Sequence, residues 1–131
     1  MNETVLSKDY NRTMKILVAE DEVLVRLMLA DTLRAEGYDV LEAADADQAI
    51  AAMKSHSNVD LVLCDMRMRS MDDGIALARY VRGHHPRVAL VLASAYQPPK
   101  DQLFDAYFQK PYEPKDIARW VRLHIADRVA C

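Results

Sequence analysis

Residues 15–22 read Lys15-Ile16-Leu17-Val18-Ala19-Glu20-Asp21-Glu22, an apolar run that stops abruptly in three carboxylates. A short continuous apolar run is what a strand buried on both faces of a parallel sheet requires. The pattern returns at Leu61-Val62-Leu63-Cys64, which ends in Asp65, and at Val88–Ala93, which ends in Ser94. Tyr38–Ala43 and Ala106–Gln109 complete five expected strands, the last followed by Lys110-Pro111.

Helical spacing fills the gaps. From Val23 to Glu36 the apolar positions Val25, Met28, Leu29, Thr32 and Leu33 repeat with a helical period, and Gly37 stands where a C-terminal cap belongs. Asp45 or Asp47 can cap a helix through Ser55 that buries Ala49, Ile50 and Met53. A third helix is expected over Ile75–Arg82, closed by Gly83, and a last one over Pro114–Arg128 with Ile117, Val121 and Ile125 on one face. Pro98 and Pro99 break the segment after Ser94, so the helix expected between the last two strands is short or disordered. Alternating strands and helices specify an α/β fold: a three-layer, doubly wound, five-stranded parallel sheet, because parallel neighbours need crossover connections.

Composition narrows the function. The 131 residues suit one domain, expected over 14–128, with a flexible extension over 1–13 and a tail over 129–131. A 51% hydrophobic content supports a core, and a net charge of −3 gives no general pull toward nucleic acid or an anionic membrane. No apolar run approaches the ~20 residues of a membrane span, and the polar N-terminus lacks a signal-peptide pattern. Cys64 and Cys131 make neither a disulfide framework nor a zinc site, which fits a reducing, cytoplasmic setting.

In an open doubly wound sheet, ligands bind beyond the carboxyl ends of the strands, where strand order reverses. Those ends carry Glu20, Asp21 and Glu22, then Asp65, then Ser94, then Lys110. Carboxylates brought together from two strands repel unless a cation lies between them, and Mg²⁺, which prefers oxygen ligands, meets that need. A carboxylate can also attack phosphorus to form an acyl phosphate when the transferring oxygens are neutralised, a task for the cation, the Lys110 ammonium and the Ser94 hydroxyl. Taken singly, each residue also has a plain reading: Glu22 complements a helix dipole, Ser94 ends a strand, Lys110 is a solvated charge.

The order Ile16-Leu17-Val18-Ala19-Glu20-Asp21-Glu22, Asp65, Ser94-Ala95-Tyr96 and Lys110-Pro111 resembles the receiver domain of bacterial two-component response regulators, from about Met14 to Arg128. The resemblance implies the flavodoxin-like strand order 2-1-3-4-5. It implies that Asp65 accepts a phosphoryl group from a sensor histidine kinase or a histidine phosphotransfer protein. Mg²⁺ (or Mn²⁺) would be held by Glu20, Asp21, Asp65 and the backbone carbonyl of Arg67. Ser94 would be the hydroxyl that moves onto the phosphate, Lys110 the counter-charge, and Tyr107 the aromatic switch, with a cis bond between Lys110 and Pro111. The only turnover implied is self-phosphorylation and self-dephosphorylation. Arg69 stands where the family usually has proline, and the chain from Ser94 to Lys110 is shorter than the usual connection. Leu92-Ala93-Ser94-Ala95-Tyr96 is similar to a segment of stand-alone receivers.

With no output domain expected after residue 128, such a chain would work by binding another, unidentified, downstream protein or by relaying phosphate. The alternative is a degenerate receiver used as a phosphorylation-independent binding module. A phosphatase with an aspartate nucleophile is disfavoured because Arg67 occupies the place of its second acid, and dinucleotide binding because Gly37, Gly74 and Gly83 form no phosphate loop. Leu24 and Leu27 fall off the core stripe and either dock a kinase or are ordinary exposed leucines. Trp120 either marks a partner surface or packs in the core. Tyr96 either guards the acyl phosphate or packs on its loop. Arg67 and Arg69 either tune the phosphate or are loop charges. His56, His84, His85 and His124 share no metal-ligand spacing and read as surface residues.

Overall fold

Alternate side chains of the first strand point to opposite faces, and both faces are apolar, so the strand needs cover on both sides. In the computed structural model, which describes residues 12–65, 71–95 and 103–126, that cover is complete. The strands are β1 Lys15–Ala19, β2 Asp39–Ala43, β3 Leu61–Asp65, β4 Ala89–Ser94 and β5 Ala106–Gln109, all parallel in the order β2-β1-β3-β4-β5. Ile16 and Val18 face one core with Leu29, Leu33, Ile117 and Val121. Leu17 and Ala19 face the other with Met53, Leu77, Val81 and Leu90. Helices α1 Val23–Ala35 and α4 Pro114–Val121 therefore cover one face, and α2 Ala46–Ser55 and α3 Met71–His84 the other.

Local chemistry accounts for most element ends. Gly37, at φ 96°, follows the Glu36 cap of α1 in a conformation that glycine adopts without strain. Of the two candidate caps for α2, Asp45 is the one used, its carboxylate accepting the Gln48 N–H at 2.8 Å. Pro114 opens α4 at a position where its missing N–H costs nothing.

Three expectations are corrected. First, α3 is longer than Ile75–Arg82 at both ends, running from Met71 to His84. Gly83 lies inside it, and the stop comes from Pro86, because a residue preceding proline is driven from helical geometry. Gly74 is buried, and its carbonyl accepts from the Cys64 thiol of β3 at 3.7 Å, so the glycine serves close helix-to-strand packing. Second, the last helix is not uniform: α4 passes after Val121 into a wider π-helical turn, Arg122–Ala126. There the His124 ring stacks on Trp120, and its Nδ1 bonds the Trp120 carbonyl at 3.0 Å, competing for the backbone acceptor. Third, Met28 is exposed, and Ala30 takes the core position beside Leu29 and Leu33. The short or disordered helix expected within residues 97–105 falls mostly outside the described residues, which omit 1–11, 66–70, 96–102 and 127–131, and its described part, residues 103–105, is not helical.

Candidate functional site

The chain leaves β1 for β2 on one side and later returns to β3 on the other, so strand order reverses between β1 and β3. Their carboxyl ends bring Glu20, Asp21 and Asp65 together, with one carboxylate oxygen from each lying within 4.8 Å of the others. The Glu20 N–H continues the ladder by donating to Ala43 O at 2.9 Å, which turns its side chain inward, 2% exposed, while Asp21 stands at the rim. Asp65 is the last residue of β3 and is buried.

Lys110 follows β5 and reaches back over this cluster. Its backbone N–H donates to Ser94 O at 2.8 Å, tying the ends of β4 and β5 together. Its ammonium pairs with Asp65 and lies 3.6 Å from Glu20 Oε1. The Lys110–Pro111 bond is cis. Ser94, fully buried, ends β4 opposite Gln109, and the Tyr107 hydroxyl donates to the Ser94 carbonyl at 3.4 Å. An open cavity of about 310 Å³ is lined by Asp21, Glu22, Asp65 and Lys110.

Electrostatics at this edge are unbalanced. Neither carboxylate oxygen of Glu20 has a hydrogen-bond partner among the described residues. Burial, reinforced by the adjacent Asp65, pushes its carboxyl up to about 9, although Lys110 pulls the other way. Burial alone would lower Lys110, but the hydrogen bond and charge of Asp65, with Glu20 behind it, raise it. Burial pushes the Tyr112 hydroxyl up, and the Glu20 and Asp65 charges add to that effect. Cys64, buried beside Asp65, has its thiol pushed up mainly by burial and is a small core residue rather than a nucleophile. The donor set consists of hard oxygens, and a buried carboxylate among them has no hydrogen-bond partner among the described residues, so these residues fit a hard divalent cation.

Around the site, α1 exposes Val23, Leu24, Leu27 and Met28, and beside them a largely apolar cavity of about 420 Å³ lies between α1, Ala95 and the Lys110–Pro114 turn. Glu22 occupies the N-cap position of α1 without a side-chain cap bond. Trp120 is half-buried and packs against the core rather than standing free. His56, His84 and His124 each bond the carbonyl four residues earlier at a helix end. The Arg67 carbonyl, Arg69 and Tyr96 lie outside the described residues.

Sequence reasoning missed two neighbours of the cluster. Tyr112 walls the apolar cavity. Arg26 donates from its guanidinium to the Glu20 carbonyl at 2.8 Å. The available signal for Arg26 was a cation within the first turns of a helix that directly follows an acidic strand end.

Residues 16–122 match the response regulator receiver domain family. The chain belongs to that family. It is 32% identical over 118 residues to the transcriptional regulatory protein PdtaR of Mycobacterium tuberculosis, covering 86% of this chain and 57% of the relative. It is similar to the receiver domain of the hybrid histidine kinase CckA, with 34% identity, a TM-score of 0.72, and 85% of this chain and 98% of that one covered. The response regulator TrrA of Thermotoga maritima, solved in complex with Mg²⁺-BeF, matches with 26% identity and a TM-score of 0.74, covering 85% and 98%. The chain spans about half the length of the curated relatives it matches. Among the described residues, no helix is long and apolar enough to cross a membrane.

Proposed function

We propose that this receiver domain accepts a phosphoryl group on Asp65 from a phosphohistidine of a sensor histidine kinase or histidine phosphotransfer protein, and thereby switches binding to a downstream protein. The observation that carries the reading is the Lys110 ammonium set between Asp65 and Glu20, with three carboxylates converging beside it. An Asp65 carboxylate oxygen attacks phosphorus, a P–O bond forms, and the P–N bond to the donor imidazole breaks, its electron pair returning to that nitrogen. Lys110 neutralises one phosphoryl oxygen and holds the attacking carboxylate in place. Glu20, Asp21 and Asp65 would hold Mg²⁺ or Mn²⁺, with the Arg67 carbonyl as the family resemblance implies; the bound ion supplies further charge neutralisation of the phosphoryl oxygens.

The new dianionic group draws the Ser94 hydroxyl toward it as a hydrogen-bond donor. Tyr107 bonds the carbonyl of that same residue, so a shift at Ser94 is passed to β5. Hydrolysis of the acyl phosphate resets the switch. The exposed apolar face of α1 beside the cavity supports docking of a helical donor within reach of Asp65.

Incubation with a small acyl-phosphate donor and Mg²⁺, followed by intact-mass measurement, tests this. One Mg²⁺-dependent phosphoryl addition is expected on the wild type and none on Asp65→Asn. No addition to the wild type would instead support a phosphorylation-independent binding module.

A further inference from the structure

Glu20 presents an unusual combination: its carboxylate has no hydrogen-bond partner among the described residues, whereas its backbone is held on both sides of its Cα. The N–H donates to Ala43 O of β2 at 2.9 Å. The carbonyl accepts from Arg26 Nη1 of α1 at 2.8 Å. Arg26 is itself anchored: its Nε lies 3.3 Å from Glu42 Oε1 on β2. The second oxygen of Glu42 takes Arg34 Nη1 at 3.0 Å, and Arg34 Nη2 donates to Val40 O at 3.0 Å. The Arg26 and Glu42 side chains are largely shielded from solvent, at 16% and 24% exposure.

From this arrangement we infer that Arg26 is a positioning residue for cation binding: its planar fork, braced by Glu42, fixes the Glu20 peptide and so aims the Glu20 and Asp21 carboxylates at Asp65. The inference rests on the reading that these carboxylates hold a divalent ion. The physical case is one of preorganisation. A carboxylate that no hydrogen bond from the described residues holds, with only the Lys110 ammonium at 3.6 Å, takes its orientation largely from its backbone. Ala43 holds only the peptide before Glu20 and leaves the one after it free to turn. Arg26 closes it from the far side, and its bond spans only six residues, from strand end to the first turns of α1. A lysine cannot reproduce the hold, because one ammonium does not span the Glu20 carbonyl and the Glu42 carboxylate in a fixed plane.

The test uses the full chain and Mn²⁺ alone as the probe, titrated by electron paramagnetic resonance of the free ion, beside Mg²⁺-dependent phosphorylation by a small acyl-phosphate donor. Arg26→Met and Arg26→Lys are each expected to weaken Mn²⁺ binding about tenfold, the lower end of the effect of losing such a supporting contact. Both should raise the Mg²⁺ concentration for half-maximal phosphorylation while leaving the rate at saturating Mg²⁺ within about twofold. Glu42→Gln, which loosens the brace but keeps Arg26, should shift Mn²⁺ binding in the same direction by a smaller factor, and serves if the Arg26 variants do not fold. Wild-type Mn²⁺ affinity in Arg26→Lys would overturn the inference, because charge alone would then suffice. So would a loss confined to the saturated rate. A wild type that binds Mn²⁺ but is not phosphorylated removes the phosphoacceptor reading and leaves the Arg26 result standing; a wild type that binds no Mn²⁺ removes both.

Discussion

Two carboxylates at opposite ends of the sheet have opposite surroundings. At the amino-terminal edge, Asp60 accepts both terminal nitrogens of Arg12, at 3.1 and 2.8 Å, and the Lys15 N–H at 2.8 Å. At the carboxyl-terminal edge, Glu20 is more deeply buried, yet neither oxygen has a hydrogen-bond partner among the described residues, and Lys110 stands 3.6 Å away with its ammonium on Asp65. Burying a carboxylate is costly unless hydrogen bonds or a counter-charge compensate, and Asp60 has both, whereas Glu20 has, among the described residues, only the Lys110 ammonium, which it shares with Asp65. On the proposed function, a structural carboxylate and a metal-binding one are thereby told apart by their partners rather than by their type.

The sharpest way to break this comparison is Asp65→Asn, which removes the nucleophile and is expected to abolish phosphoryl uptake completely by intact-mass measurement. Lys110→Ala comes next. Loss of the ammonium shared by Asp65 and Glu20 is expected to slow phosphorylation by about 10²- to 10³-fold, read as initial rates at saturating Mg²⁺. At the other edge, Asp60→Ala removes the acceptor of the part-buried Lys15 N–H and the Arg12 pairing and should cost about 1–3 kcal/mol in urea unfolding. Its Mn²⁺ affinity should stay at the wild-type value. A drop there would show that the two edges are not independent.

A further test is one of pH. In metal-free protein, the folded state holds a proton on Glu20 that the unfolded chain releases, because the folded value is pushed from 4.5 up to about 9. This contribution to stability is fully present below 4.5 and is lost as pH rises through about 9. Unfolding free energy should decline across that window by at most about 1.4 kcal/mol per pH unit. Glu20→Gln should flatten the decline, and Mg²⁺ should reverse it in the wild type by binding the ionised form. A pH profile identical in wild type and Glu20→Gln would refute the assignment.

Much of the sheet was legible because buried parallel strands announce themselves as apolar runs whose limits are local. β5 was read to the residue, and β3 and β4 to within one, as Asp65 and Ser94 proved to be the last residues of their strands. Helix ends were harder. Gly83 reads as a stop in one dimension, whereas the helix runs through it and Pro86 forces the end. Met28 sits on the apolar repeat, but the rotation of α1 against the sheet puts Ala30 inside in its place.

The residue types at the strand ends, and the α/β order that carries them to one edge, are written in the chain itself, because strand periodicity and chain connectivity depend on near neighbours. Which buried carboxylate goes without a hydrogen bond among the described residues, and which arginine holds its backbone, depended on the packed molecule. The Arg26–Glu42 bond joins residues 16 apart, and Lys110 meets Asp65 across 45. Such partners are chosen by how the helices lie against the sheet, a choice that no local pattern encodes.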